Sequence, residues 1–257
     1  MNKLSLLAAA LLASLSLGVQ AQGTTDAEDE GWTGTGELGV AAARGNSRSE
    51  NLNGKLAFAN EDDQWKHTYS LSALRAKGEV TGDFDGDGEP EESFELNANR
   101  YEFAAGSALK MNEFSYWLAA LRYENDDFAP FENQTTFSLG YGHTFIKSDA
   151  TELAMEIGPG YRRAKDAATG ESQSDAIVRG KVDYKHKLTS NTELFNTLLV
   201  EGGSDNTLAQ NDAGVSVAMN EAFALKAGVQ LRHNTDVGVG IDKTDTLTTV
   251  NLVYNIK

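Results

Sequence analysis

Alternation of apolar and polar side chains, residue by residue, constrains this chain more than any other feature. From Gln134 onward, Thr135, Phe137, Leu139, Tyr141, His143 and Phe145 share one parity, while Thr136, Ser138, Gly140, Gly142 and Thr144 take the other. After the polar break Lys147-Ser148-Asp149-Ala150 the pattern resumes, with Leu153, Met155, Ile157 and Tyr161 opposed to Glu152, Glu156 and Arg162. Successive side chains of a strand point to opposite faces, so this is a β-hairpin with one apolar and one polar face. About six such hairpins can be traced between Trp32 and Lys257. The expected fold is all-β, an antiparallel transmembrane β-barrel of about 12 strands with both termini periplasmic.

The N-terminus gives the expected address. Lys3 supplies a positive start, Leu4 to Val19 an apolar run, and Val19-Gln20-Ala21 the small residues wanted before cleavage, so residues 1–21 read as a signal peptide. Residues 22–31 are acidic and without period and read as a flexible lead-in, leaving 32–257 as one barrel domain. Beyond residue 21 no apolar run approaches the roughly 20 residues of a membrane helix, so any span must be β. The chain has no cysteine, which removes a disulfide framework, and its net charge of −16 excludes nucleic acid as a partner. The expected location is the outer membrane of a Gram-negative bacterium, with outer-membrane lipid and the outer-membrane assembly machinery as partners.

Connections near 61, 111, 148, 189 and 220 are short, whereas those near 84, 128, 170 and 240 are longer and richer in Gly and Asp, as periplasmic turns and outer loops are. Phe58, Trp65, Tyr69, Phe114, Tyr116, Tyr141, Phe145, Tyr184, Phe195, Phe223 and Tyr254 fall near the short-turn ends, as an aromatic girdle would. Phe114 to Tyr123 is apolar on both parities and leaves its facing open, Glu124 to Asn133 reads as a long connection, and Thr192 to Glu201 is of mixed parity. Pro159 between Gly158 and Gly160 reads either as a bulge or bend near the outer rim or as a strand end.

The polar parity assigns the lumen. It comprises Lys66, then Arg100 and Glu102, then Glu152, Glu156 and Arg162. On the later strands it continues with Arg179, Lys181, Asp183 and Lys185, and with Lys226, Gln230 and Arg232. Glu152 and Glu156 should approach Lys185 and Asp183 across the ladder, and mixed signs there can lock into ion pairs. Asp83, Asp85 and Asp87 before Gly88 resemble the first half of a calcium loop, but its bidentate Glu would fall on Phe94. No cofactor is implied apart from such a calcium ion. His67, His143, His186 and His233 share the apolar parity and read as interfacial rings. No Gly-x-Ser-x-Gly elbow, HExxH or P-loop is present, and no strand pairing legible here joins a lipid-facing Ser to a His. The chain is read as no enzyme.

Gly36-Glu37-Leu38-Gly39 leading to Gly45-Asn46-Ser47, Gly158-Pro159-Gly160-Tyr161-Arg162 and the closing stretch from Leu247 to Ile256 resemble the YdiY-like salt-induced outer-membrane proteins. The resemblance covers most of the chain after the signal and implies an outer-membrane barrel without an established activity. Barrels of this kind usually end on an aromatic residue, whereas this chain ends Tyr254-Asn255-Ile256-Lys257.

Two functional readings follow: a non-enzymatic envelope barrel, salt-stress-associated, that forms a narrow passive pore, and alternatively an outer-surface module that binds calcium through its acidic loops. Lipid hydrolysis ranks behind both. The strand from Phe223 to His233 gives the sharpest expectation. Leu225, Ala227, Val229 and Leu231 should touch hydrocarbon while Lys226, Gly228, Gln230 and Arg232 face inward. An arginine near the midplane on the lipid side costs about 2–4 kcal/mol. Val229→Arg should therefore impair insertion into vesicles and Gln230→Arg should not; equal assembly of the two would contradict this facing.

Overall fold

The computed structural model describes residues 31–43, 48–83, 89–167, 169–237 and 242–256. The expected signal peptide and all of the lead-in except Gly31 lie outside them. Among the described residues every regular element is a strand: β1 (Gly31–Ala43), β2 (Ser49–Glu61), β3 (Trp65–Gly82), β4 (Glu91–Lys110), β5 (Ser115–Asp126), β6 (Phe131–Lys147), β7 (Thr151–Asp166), β8 (Ser172–Lys187), β9 (Thr192–Gly203), β10 (Thr207–Ala218), β11 (Phe223–Asn234) and β12 (Thr244–Ile256). Each pairs antiparallel with its sequence neighbours, and β1 pairs with β12 from Gly34↔Ile256 to Leu38↔Leu252. The twelve strands thus form a closed barrel in which every strand has two neighbours. The first residue of β1 and the last of β12 lie at the end that carries the turns 62–64, 111–114, 148–150, 188–191 and 219–222, hereafter the turn end.

Asx chemistry shapes three of these turns. The Asp62 carboxylate accepts the backbone N–H of Gln64 and Trp65 at 2.8 and 2.7 Å, Asn112 those of Phe114 and Ser115, and Asn220 those of Ala222 and Phe223. The bonds from Trp65 and Gln64 hold the Asp62 carboxyl below its ordinary value. Their contribution is complete above the ordinary carboxylate range and fades as pH falls through it.

Alternation becomes wall geometry. On β11, Leu225, Val229 and Leu231 are 41–45% exposed, whereas Arg232 is 2% exposed. Leu56, Phe58, Leu71, Phe137, Leu139, Ile157 and Leu252 stand out in the same way, giving the apolar exterior of a barrel that sits in lipid.

The structure corrects several expectations. The connections at 127–130 and 167–171, expected to be long, are nearly as short as the turns, because β6 and β8 begin earlier than their composition suggests, and 83–90 and 235–243 carry the length asymmetry. Tyr116 and Phe195 face the lumen rather than the girdle: Tyr116 donates to Glu156 and Phe195 lies under the Lys226 ammonium. The girdle rings that do face outward pack with histidines, as Trp65 with His67, Tyr184 with His186, and Phe145 with His143. Pro159 lies neither at a strand end nor at the rim. It sits inside β7, where the ladder to β6 lapses between Ser138↔Gly160 and Tyr141↔Ile157 and resumes in the same register.

Beside Pro159 the two backbones come very close. A Cβ on Gly158 would lie 2.0 Å from the Leu139 carbonyl oxygen, whereas one on Gly180 would find nothing nearer than 3.9 Å. Gly158→Ala should therefore lower unfolding stability in urea by about 1–3 kcal/mol through overpacking, and Gly180→Ala should leave it nearly unchanged. Equal midpoints for the two variants would contradict the close approach.

Candidate functional site

The lumen is crossed by charged side chains in its half away from the turn end. The inward parity of β5 is Tyr116, Leu118, Ala120, Arg122, Glu124 and Asp126, so its last three members form a charged run at the far end of the strand. Arg122 Nη1 lies 2.8 Å from Glu124 and 3.4 Å from Glu102, and its Nη2 is ion-paired with Glu201 of β9. Glu124 is also ion-paired with Arg232 of β11, and Gln134 Nε2 donates to it at 3.1 Å. Asp126 lies 3.6 Å from Arg232. Arg100 of β4 donates to Gln230 of β11 at 2.5 Å, and Gln230 donates in turn to Asp212 of β10 at 2.6 Å.

β5 and β11 stand on opposite sides of the ring, so these contacts span the lumen rather than decorate one wall. Glu124 and Glu201 are each 1% exposed. A carboxylate so far from water stays charged only where cations and donors replace its hydration, which the arginines do here. Nearer the loops, Arg162 holds Asp175 through two bonds of 2.9 and 3.1 Å and donates to the Asn206 carbonyl. It also lies over the Phe131 ring at 6.0 Å, and Leu208, Ile177 and Ala164 are buried towards the same end. This half is a packed interior.

The turn half is looser. Arg179 pairs with Glu156 at 2.8 Å, Lys181 with Asp183 at 2.6 Å, and Lys226 with Glu37 at 2.9 Å, all partly accessible. Glu156 thus meets Arg179, not the expected Lys185 or Asp183, because a diagonal neighbour with a longer fork reaches it first. Glu152 does lie directly opposite Lys185 in the ladder, both exposed at the turn end, and Lys66 sits half-exposed at that rim against Glu61. Arg100, Glu102, Arg162, Gln230 and Arg232 belong to the closed half. An arginine at position 230 would still have Asp212 in reach.

Arg122, Glu124 and Glu201, which tie the layer together, escaped the sequence reading. By composition Glu124 reads as part of a connection, and Arg122 and Glu201 lie in stretches without clear parity. The usable signal is the spacing of Arg122, Glu124 and Asp126, which continues a strand past its apolar part. Of the calcium candidates, Asp85 and Asp87 lie outside the described residues. Among the described residues no group of three or more His, Asp or Glu is placed to hold a metal.

A lipid-facing Ser and His do meet, contrary to expectation. Ser115 Oγ lies 2.9 Å from His143 Nδ1 and accepts the Tyr141 hydroxyl at 2.9 Å. The sequence hides this because Ser115 lies in the stretch from Phe114 to Tyr123, which is apolar on both parities. The same pairing recurs between Thr151 and His186 and between Thr244 and His233, each at 2.8 Å and each between residues directly opposite in the ladder. Recurrence with threonine marks a cross-strand way of satisfying an imidazole nitrogen rather than a nucleophile and its base.

Residues 36–256 match the family described as "Protein of unknown function, DUF481". Protein YdiY of Escherichia coli (strain K12) is 24% identical over 163 residues, which are 63% of this chain and 64% of that protein. The chain thus spans somewhat less than two thirds of that relative's length. Among solved structures, the translocator domain of the autotransporter NalP from Neisseria meningitidis aligns over 98% of this chain and 95% of its own, with 13% identity and a TM-score of 0.48. The NanC porin aligns over 87% and 97%, with 8% identity and a TM-score of 0.49.

Breaking a buried ion pair from one side costs about 3–5 kcal/mol, because the partner is left charged without water. Glu124→Ala, which strips both Arg122 and Arg232, should lower the unfolding free energy by about that much. Glu152→Ala at the exposed end should change it by less than about 0.5 kcal/mol. Urea titration of the folded, heat-modifiable gel band measures both; equal effects would deny the layer its role.

Proposed function

We propose, from the premise that this chain belongs to the DUF481 family, that it is a non-enzymatic barrel of a Gram-negative outer membrane, forming a narrow passive pore closed at its outer end by ion pairs. Residues 1–21 would direct export, the turn end would face the periplasm, and outer-membrane lipid and the assembly machinery would be its partners. The observation that carries this reading is the layer through Arg122, Glu124, Glu201 and Arg232 above a more accessible turn half.

Twelve strands enclose more space than the eight-stranded barrels that side chains fill, yet less than a 16-stranded porin. An apolar plug would be the cheaper way to close such a lumen for good, since buried ion pairs rarely outdo apolar packing. Side chains that exchange ion pairs for water as they swing aside suit a closure that opens. Salt weakens charge pairs most where water reaches them, so the pairs of the turn half would loosen first while the buried layer held.

Conductance of the purified barrel in planar bilayers tests this. Wild type should show small, infrequent openings, and Glu124→Gln with Arg232→Gln should raise open probability while the folded band persists. A bilayer that stays silent for both proteins over a range of salts would leave a purely structural envelope barrel.

A further inference from the structure

The wall is laddered unevenly around the ring. Between β1 and β12 the ladder breaks off at Leu38↔Leu252, although β1 runs on to Ala43 and β12 begins at Thr244. Continued in the same register it would join Gly39 to Asn251 and Ala43 to Leu247. Through this stretch β1 stays laddered to β2 and β12 to β11, so the two strands part from each other and from nothing else.

Exposure marks the parting. Val40 and Val250, which the continued register would set face to face, are 69% and 59% exposed. Ala41 and Ala43 share the lumenal parity of Glu37 and are exposed as well. Thr248 lies opposite Val229, Thr246 opposite Leu231, and Val40 opposite Leu52, three outward-facing side chains, so the parting stands at the height of hydrocarbon.

On its turn side it ends at a clasp. Lys226 of β11 donates to Glu37 of β1 at 2.9 Å, Asn53 of β2 donates to the Asn251 carboxamide oxygen at 2.8 Å, and Asn251 Nδ2 lies 3.3 Å from Glu37. A Cβ on Gly39 would fall 2.2 Å from Asn251 Oδ1 and 2.4 Å from Asn53 Oδ1, so only glycine lets β12 and β2 touch across β1. Side chains replace the ladder where the strands begin to separate.

Beyond the clasp neither rim carries a charge: one is Val40 with three alanines, the other runs from Thr246 to Val250. Unpaired backbone groups are costly in hydrocarbon, and alkyl chains cannot satisfy them. Water from the lumen or the polar groups of a solute can. Methyl and hydroxyl rims together suit a molecule with an apolar body and a few uncharged hydrogen-bonding groups.

We propose that the parted stretch of β1 and β12 is a lateral opening through which uncharged amphipathic solutes pass between the lumen and the loop-side leaflet. The inference rests on the reading of this chain as a membrane pore, but the ion-pair layer, which joins β4 and β5 to β9 and β11, need not open for sideways passage.

The absence of cysteine makes the test direct. A bimane label on Ala41→Cys should be quenched by lipids brominated on their acyl chains about as strongly as one on the outward Leu56→Cys, and one on Ser72→Cys, of lumenal parity on β3, should not. Ala41→Cys with Thr249→Cys, opposite in the continued register, allows a short bis-maleimide to bridge the parting in intact cells. Bridging should reduce uptake of the uncharged dye N-phenylnaphthylamine to that of cells lacking the protein, whereas a monofunctional maleimide should leave most of it. Equal quenching at positions 41 and 72, or uptake indifferent to bridging, would overturn the opening. Planar-bilayer conductance separates the two readings: a silent bilayer with bridge-sensitive dye uptake would remove ion passage and keep the opening, and ion passage with bridge-insensitive uptake would do the reverse.

Discussion

Every backbone N–H and C=O that enters hydrocarbon must find its partner within the protein, since an unpaired group there costs several kcal/mol. Among spanning structures made of strands, only a ring meets that requirement. The seam between β1 and β12 is thus the contact on which the others depend, although it is paired over a shorter stretch than β1 and β2. Once the ring closes, side-chain parity has no freedom left: a slip of one residue anywhere would exchange the lipid and lumen sets. A one-residue slip of β11 would turn Leu225 into the lumen and Arg232 into lipid.

Closure creates a second problem, the filling of the lumen, and this chain solves it differently at the two ends. Towards the turn end, aromatic side chains lie over glycines on the neighbouring wall, as Tyr116 does over Gly142 and Phe195 over Gly214. Towards the other end, charges meet across the ring. The desolvation of Glu124, Glu201 and Arg232 is offset by mutual pairing, so each depends on the presence of the rest. Such a layer is cooperative, since removing one member leaves the others charged and without water.

Legibility in the sequence followed the range of the interactions. Alternation is local, so the strand from Phe223 to His233, the hairpin around Ser148 and the ring of about twelve strands could be read from neighbouring residues. Turn chemistry is equally local at Asp62, Asn112 and Asn220. Facing failed where both parities are apolar, and there the strand carrying Arg122 and Glu124 was cut short. Which charges meet was not legible at all: Arg232 finds Glu124 across the ring, 108 residues away in the chain. Glu156 took Arg179 over the expected partners because guanidinium reach and diagonal offset, not sequence spacing, decide among lumenal neighbours. Ser115 and His143 meet for a different reason, as directly opposed residues of a pairing that only the register of β5 fixes.

The ion-pair layer closes one half of the lumen while the pairs of the turn half stay partly accessible, and thiol accessibility probes that division. The cysteine-free chain allows a single thiol at Thr68, exposed on the inner parity near the turn end, and another at Ser138, 2% exposed in the closed half. In oriented vesicles a charged, membrane-impermeant thiol reagent should modify Thr68→Cys from the turn side and not from the loop side, and should leave Ser138→Cys unmodified from either. Rapid modification of Ser138→Cys, or of Thr68→Cys equally from both sides, would contradict a lumen closed by the Arg122, Glu124, Glu201 and Arg232 layer.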